Sequence, residues 1–144
     1  ENLQDPGNLG TMIRTGEGAG ITGVIMNQQT VDIFNPKTIR ATMGSIFRVP
    51  FVYVPELSPV LTQMHERGIH TYAAHLKGQK YYDSFSFREP TAFLIGNEGN
   101  GLTKEISDQA GQYLKIPMEG KVESLNASIA AALLMYEAHR QRNL

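Results

Sequence analysis

Segments with helical spacing alternate with short apolar segments along this chain, and this alternation is the feature that most constrains the fold. Runs that read as strands are Thr22 to Met26, Ile69 to Ala74, Thr91 to Ile95 and Tyr113 to Ile116, and Ile46 to Val54 reads as an extended segment broken at Pro50. Helices between strands predict an α/β fold with a mostly parallel sheet flanked by helices. Sheets of this kind bind ligands at the carboxyl ends of their strands.

Turn and capping residues set the predicted helix boundaries. Asn8, after the turn Asp5-Pro6-Gly7, is placed to cap a helix that begins at Leu9 and ends at Gly18 or Gly20. Further helices are predicted over Lys37 to Met43, Leu57 to Arg67, Thr103 to Ala110 and Leu125 to about Arg140. The last of these is apolar over most of its circumference, so we expect it to be buried on more than one side.

Composition limits the class of protein. With 144 residues, 41% of them apolar and 19% charged, the chain suits one folded domain. Its longest apolar run, eight residues from Ile129 to Tyr136, is too short to span a bilayer, and no export leader opens the chain, so we expect no membrane partner. The absence of cysteine excludes disulfides and thiolate metal sites, which makes the cytoplasm the default location. A net charge of −1 requires any anion site to be local.

Three segments could carry chemistry. The first, Asp5 to Gly20, reads either as an ordinary capped helix or as an anion site in which Gly10 leaves space beside Arg14. The second, Phe93 to Leu102, is a glycine-rich strand-to-helix turn in which the acid Glu98 favours a neutral or cationic ligand over a phosphate. In the third, Ile116 to Leu134, either Ser124 or Asn126 caps the long helix, or Ser124, Asn126 and Ser128 form a small-molecule site beside the apolar loop Ile116 to Met118.

Other chemistries fit poorly. The sequence has no P-loop, no GxSxG elbow and no GxGxxG fingerprint with its acidic partner, which disfavours nucleotide hydrolysis, serine hydrolysis and dinucleotide-dependent oxidation. His65, His70 and His75 are spaced so that a shared metal is not expected. The aromatic segment Tyr81 to Phe87 is predicted to be a loosely packed loop, with base stacking as the less common alternative.

The chain resembles the SpoU (TrmH-type) family of SPOUT RNA methyltransferases. The resemblance rests on three motifs in order, NLGTMIR, LIGNEGNGL and IPMEGKVESLNASIAAALL, and on the segment NPKTIRATMGSIFRVP between the first two. The resemblance implies a parallel α/β domain with a deep carboxyl-terminal trefoil knot, a rare exception to unknotted topology. It also implies S-adenosylmethionine as cofactor, a homodimer with the active site at the interface, and methylation of a ribose 2′-hydroxyl in ribosomal or transfer RNA.

The resemblance assigns roles by motif match. Arg14 corresponds to the catalytic arginine, accompanied by Asn8, Glu98, Ser124 and Asn126. The cofactor would lie against the second and third motifs, at Leu94, Ile95, Gly96, Asn97, Gly99, Gly101, Ile116, Met118, Ser124, Leu125, Asn126 and Ala127. No metal is required.

The RNA substrate is less defined by sequence. Arg14, Arg40 and Arg48 are candidates to line an RNA groove, since Arg40 and Arg48 flank the turn at Gly44. Family members carry a strand before the DPGN turn and often an upstream RNA-binding domain, so residues 1–144 are interpreted as a catalytic domain without either. The segment between the first two motifs favours large-subunit ribosomal RNA over transfer RNA. A catalytically silent RNA-binding or dimerisation module of the same fold is the alternative function.

Overall fold

The computed structural model describes all 144 residues, Glu1 to Leu144. Five α-helices and five β-strands alternate along the chain, with 3-10 turns at Ser45–Phe47 and Tyr82–Ser84. In order they are α1 (Pro6–Ala19), β1 (Val24–Asn27), α2 (Pro36–Thr42), β2 (Phe51–Val54), α3 (Ser58–Glu66), β3 (His70–Ala74), β4 (Thr91–Leu94), α4 (Lys104–Gln109), β5 (Gln112–Leu114) and α5 (Ala127–Arg142).

Every strand pair is parallel, as the sequence predicts, but the strands form two sheets. β1 pairs with β2, and a second sheet has the order β4-β3-β5. β1 and β4 are therefore edge strands, and both line one cavity of about 960 Å³ that lies between the sheets. The backbone groups on the cavity side of each edge have no strand partner.

Helix α1 begins earlier than predicted. Asp5, and not Asn8, is its N-cap, because the Asp5 carboxylate accepts the Asn8 N–H at 2.7 Å and Pro6 occupies the first helical position, where no N–H is needed. At the other end Gly20 adopts φ +76°, and its N–H donates to the carbonyls of Glu17 and Gly16. The predicted end at Gly20 is confirmed.

Gly10 packs against α2, which contradicts the expectation of open space beside Arg14. A Cβ placed on Gly10 would lie 2.5 Å from the Ala41 Cβ and 2.6 Å from the Thr38 carbonyl oxygen. Gly10 is buried, whereas Arg14 is exposed. The missing side chain thus lets two helices approach closely, and it does not form a ligand pocket.

The sequence predicts an extended segment before β2, but the structure has a turn there. Ser45–Phe47 forms a 3-10 turn after two residues with positive φ, Met43 and Gly44, and the strand begins only at Phe51. Ile46 and Val49 are buried in the core, so the turn satisfies their burial without a strand.

The aromatic segment before β4 is packed tightly, and its predicted loose packing is wrong. Phe87 is fully buried and makes edge contacts with Tyr72 and Phe93, with ring centroids 5.0 Å apart in both pairs. Phe85 also contacts Tyr72. These rings form the core beneath the β4-β3-β5 sheet. This agrees with the prediction that the aromatic residues pack together and do not stack on bases.

Within one chain helix α5 is covered on one side, and burial of a second side stays a prediction because it depends on a partner chain. Its buried residues are Ser128, Ala131, Leu134, Ala138 and Gln141. Ile129, Leu133 and Tyr136 form an exposed row on the other side. No helix of the chain, α5 included, has the length and apolar character needed to cross a membrane.

Candidate functional site

Glu98 joins the glycine-rich turn to the segment before α1. Its carboxylate accepts the backbone N–H groups of Asp5 at 2.8 Å and of Gln4 at 3.1 Å. Burial raises the pKa of the Glu98 carboxyl, but these backbone donors and the Asn8 side chain outweigh that effect and hold the pKa below its ordinary value. The carboxylate is therefore an acceptor that fixes the chain before α1.

Asn8 connects this carboxylate to the third motif. Its backbone N–H donates to the Asp5 carboxylate, and the Asp5 N–H in turn donates to Glu98. The Asn8 Oδ1 accepts the side-chain amide of Asn126 at 3.0 Å. Asn126 in turn caps α5, since its Oδ1 accepts the N–H groups of Ser128 at 2.9 Å and Ile129 at 3.3 Å. The structure thus brings together three predicted catalytic residues, one from each motif.

Arg14 and Ser124 stand outside this network. Arg14 is exposed on α1, and its guanidinium makes no hydrogen bond or ion pair. Six positions separate it from Asn8, which turns the two side chains about 120° apart around the helix axis. Ser124 is exposed and has no hydrogen-bond partner. Within one chain the five residues do not form a single cluster.

The turn after β4 is closed by its own backbone. Asn97 and Gly101 exchange hydrogen bonds of 3.0 and 2.9 Å, and a Cβ on Gly96 would lie 2.2 Å from the Gly101 backbone. The Asn97 side chain donates to the Asn2 carbonyl at 2.9 Å and accepts the Gly99 N–H at 2.9 Å, so it has a structural role. Leu94 ends β4, Ile95 follows it half-buried, and Gly99 is exposed.

The segment from Ile116 to Leu125 has free backbone groups. None of its N–H or C=O groups hydrogen-bonds another backbone group, although Ile116, Met118 and Leu125 are half-buried. Half-buried apolar side chains beside unused backbone donors and acceptors suit a ligand with a flat apolar ring and polar edges. Ala127, the first residue of α5, borders this segment.

Ser128 is not available to a ligand, contrary to the small-molecule reading of the third segment. It is buried, and its hydroxyl donates to the Asn126 Oδ1 at 2.6 Å. The cap interpretation is confirmed for Asn126, and Ser124 is the hydroxyl of the set without a hydrogen-bond partner.

Comparison with known proteins places this arrangement in a family. The model of the SpoU rRNA methylase family matches residues 1–136, which is most of the chain and includes all three motifs. The chain belongs to the SpoU family. The predicted resemblance is thereby confirmed.

Individual SpoU relatives are similar over nearly the whole chain. The 23S rRNA (guanosine(2553)-2′-O)-methyltransferase RlmP of Bacillus subtilis is 38% identical over 134 residues, which cover 93% of this chain and 54% of RlmP. An uncharacterized tRNA/rRNA methyltransferase of Synechocystis is 35% identical over 142 residues, or 99% of this chain and 52% of that protein. The chain spans about half the length of these relatives.

Solved SpoU structures share the fold. The methyltransferase AviRb from Streptomyces viridochromogenes, solved in complex with AdoMet, superposes with a TM-score of 0.91 at 35% identity, covering 99% of this chain and 56% of AviRb. An AdoMet-bound rRNA methyltransferase from Sinorhizobium meliloti superposes with a TM-score of 0.88 at 37% identity over 96% of this chain and 53% of that protein. The α/β architecture with parallel strands is confirmed.

The cavity of about 960 Å³ in this SpoU chain lies away from the Ile116 to Leu125 segment. It is the space between β1 and β4, and neither Ile116, Met118 nor Leu125 lines it. Glu1 borders the cavity, and its backbone nitrogen donates to the Ile95 carbonyl at 2.8 Å.

The three predicted RNA-binding arginines differ in their partners. Arg14 and Arg40 are exposed and unpaired. Arg48 forms an ion pair with Glu17, which also accepts the Ser45 hydroxyl. Glu17 was not predicted from the sequence. It is seven positions from Gly10 and lies on the same helix edge, but its partners Ser45 and Arg48 are 28 and 31 positions away, so no local pattern indicates the contact.

No group of three or more His, Cys, Asp or Glu side chains is arranged to hold a metal ion.

Proposed function

We propose that this chain is the catalytic domain of an S-adenosylmethionine-dependent RNA methyltransferase that modifies a ribose 2′-hydroxyl. The observation that carries the proposal is the hydrogen-bonded series from Glu98 through Asp5 and Asn8 to Asn126, because it holds the three motifs together at one place. Family membership and the AdoMet-bound structures of SpoU relatives support the same reaction.

The residues present fit this cofactor. Ile116, Met118 and Leu125 offer half-buried apolar contacts for the adenine ring, and the unpaired backbone groups of their segment suit its polar edge. The turn from Gly96 to Gly101 would border the amino-acid part. S-adenosylmethionine supplies an electrophilic methyl group on sulfur.

Arg14 is proposed as the residue that acts on the RNA. The bound cofactor would supply its methyl group to the ribose 2′-oxygen and leave as a thioether, and the hydroxyl proton would go to a phosphate oxygen of the RNA. Arginine stays protonated and is a poor base, so Arg14 would bind the phosphate and stabilise negative charge on the 2′-oxygen. Its exposed, unpaired guanidinium is free for that role. Ser124 would orient the ribose.

Large-subunit ribosomal RNA is the proposed substrate. The relative RlmP, by its name, acts on 23S rRNA, and it matches 93% of this chain. The match includes the segment between the first two motifs, from which the sequence analysis favoured ribosomal RNA over transfer RNA.

The proposed assembly is a homodimer built on α5 and α1. Ile129, Leu133 and Tyr136 form the exposed apolar row on α5, and Tyr136 lies over Gly18 of α1, with its hydroxyl 2.9 Å from a Cβ placed there. Arg14 is exposed on the same helix. Joining two such surfaces would cover the apolar row. It would also place Arg14 of one chain beside the Glu98, Asn8 and Asn126 positions of the other, whereas within one chain Arg14 lies apart from them.

An additional strand is proposed between β1 and β4. Both edges lack partners, and the cavity between them is lined mainly by apolar residues. Glu1 lies at the carboxyl ends of both strands, through Ile95 after β4 and through the bond from the Asn2 N–H to Asn27 in β1. A segment leading into Glu1 would therefore run parallel to both strands and join the two sheets. An RNA-binding domain would precede that segment. We also propose that the carboxyl-terminal part of the domain forms the trefoil knot that the resemblance implies.

The function is tested in cells and with purified protein. Sites of 2′-O-methylation are mapped across total RNA with and without the gene, and AdoMet is titrated calorimetrically into the full-length protein. We expect one large-subunit rRNA site to disappear and AdoMet to bind without added metal. An unchanged map together with no heat at millimolar AdoMet would contradict the proposed reaction, and loss of a transfer RNA site would contradict the proposed substrate.

A further inference from the structure

The turn between α2 and β2 presents an aromatic ring to solvent. Phe47 is 86% exposed, although the residues on both sides of it are held: Ile46 and Val49 are buried, and Ser45 and Arg48 both bind Glu17. The ring is therefore held outward by a fixed backbone. A single exposed apolar side chain is common on protein surfaces, so the neighbours of Phe47 decide what this ring can bind.

The surface around Phe47 is apolar and positively charged. Met43, 67% exposed, is four positions before it, and Arg40 in the last turn of α2 is exposed without an ion-pair partner. No acidic residue occurs between Asp32 and Glu56. The nearby carboxylate of Glu17 is already paired with Arg48. This combination suits an anionic partner with flat apolar groups.

The surface adjoins Arg14. On α1, Gly10 contacts Ala41 of α2, and Glu17 contacts Ser45 and Arg48 in the turn. Arg14 lies between these two contacts along the helix, about 40° from Gly10 and about 60° from Glu17 around the helix axis. A nucleotide chain whose target ribose is at Arg14 would thus pass the Phe47 surface.

We infer that Phe47 stacks on an unpaired base of the RNA, next to the nucleotide that is methylated, while Arg40 binds the adjoining phosphate. The inference rests on the proposed function for its choice of RNA. A single strand is required, because bases within a duplex are stacked on one another and cannot receive a protruding ring. Stacking on an aromatic side chain tolerates any base, so Phe47 would add affinity more than sequence preference.

The test measures binding of a fluorescein-labelled 20-nucleotide oligouridylate to the full-length protein by anisotropy. Phe47→Ala is expected to raise Kd by about 5- to 150-fold, and Phe47→Tyr to bind like the wild type. Phe47→Leu, which keeps apolar bulk without a ring, should lose most of the affinity. Arg40→Ala should weaken binding and reduce the dependence of log Kd on log salt by about one unit, whereas Arg67→Ala, an exposed cation at the end of α3, should not.

Two controls separate the outcomes. AdoMet affinity and the solution mass of Phe47→Ala should equal those of the wild type; a changed mass would mean that Phe47 contacts a second copy, and the inference would be wrong. Wild-type affinity for the oligonucleotide in Phe47→Ala, or in Phe47→Leu, would also overturn it. If the protein neither binds AdoMet nor methylates RNA but still needs Phe47 to bind the oligonucleotide, the proposed function fails and the stacking site stands.

Discussion

The side-chain amide of Asn126 donates to the Oδ1 of Asn8 across 118 positions of sequence, at 3.0 Å. The same Asn126 caps α5, so one residue fixes both the start of the last helix and the distance between the first and third motifs. Loss of this residue should therefore disturb stability and cofactor binding together.

Asn126→Ala is expected to lower the free energy of unfolding by about 1 kcal/mol, the usual cost of losing an N-cap. It should also weaken both AdoMet binding and methyl transfer. Asn126→Asp keeps the capping oxygen but not the donor to Asn8, so it should retain most of the stability and still lose activity. Denaturant unfolding and AdoMet titration measure the two effects; equal stability and equal affinity in all three proteins would contradict the assignment.

Arg14→Ala separates binding from chemistry. Because Arg14 is exposed and bonds no other residue, the variant should fold normally and bind AdoMet within a few-fold of the wild type. Single-turnover methyl transfer to the mapped RNA should fall by about 10²–10³. Arg14→Lys should restore it only in part, since an ammonium does not reproduce the planar guanidinium. A near-normal rate for Arg14→Ala would mean that another group activates the ribose hydroxyl.

Glu17 should make stability depend on pH. The hydrogen bonds from Arg48 and Ser45 lower the pKa of its carboxyl to about 2, below the unfolded value near 4.5. A lowered folded pKa stabilises the fold above the unfolded pKa, and this contribution is lost as pH falls from about 4.5 towards 2. Glu17→Gln should thus be less stable than the wild type at pH 7, and the difference should shrink across that window. Urea unfolding of both proteins at pH 7 and pH 3 checks this; a constant difference would argue against the ion pair.

Gly10→Ala should destabilise the chain by about 1–3 kcal/mol, because the new methyl group meets the Thr38 carbonyl and the Ala41 side chain. Gly18→Ala on the same helix is the matched control. There the nearest atom is the Tyr136 hydroxyl at 2.9 Å, at the end of a half-exposed side chain, and alanine favours the helix. Thermal unfolding should therefore show a lower midpoint for Gly10→Ala and an equal or higher one for Gly18→Ala.

Leu133→Glu should prevent dimerisation. Leu133 belongs to the exposed row on α5, and a buried, unpaired charge in the interface costs several kcal/mol. Ala131 is unsuitable for this test, because it faces the chain's own core and a charge there would unfold it. Light scattering should give half the wild-type mass for Leu133→Glu and the wild-type mass for Gln63→Glu on α3. A folded wild-type monomer at micromolar concentration would refute the dimer.

Local signals were sufficient for most of the fold. Helix ends are decided by short-range chemistry, so Gly20 after α1 and Thr103 before α4 could be predicted from the sequence, and apolar runs located β3 and β4 to within a residue. The three motifs and the family also follow from sequence, because they lie within short stretches.

Long-range contacts decided the rest. Whether Gly10 is a pocket or a helix contact depends on Ala41, and whether Arg48 is free depends on Glu17, and neither partner is near in sequence. The same holds for the association of Asn8, Glu98 and Asn126 and for the outward position of Phe47. A residue type fixes what a side chain can bind, but burial and partner distance are set only when distant segments pack, which is why these roles required the tertiary structure.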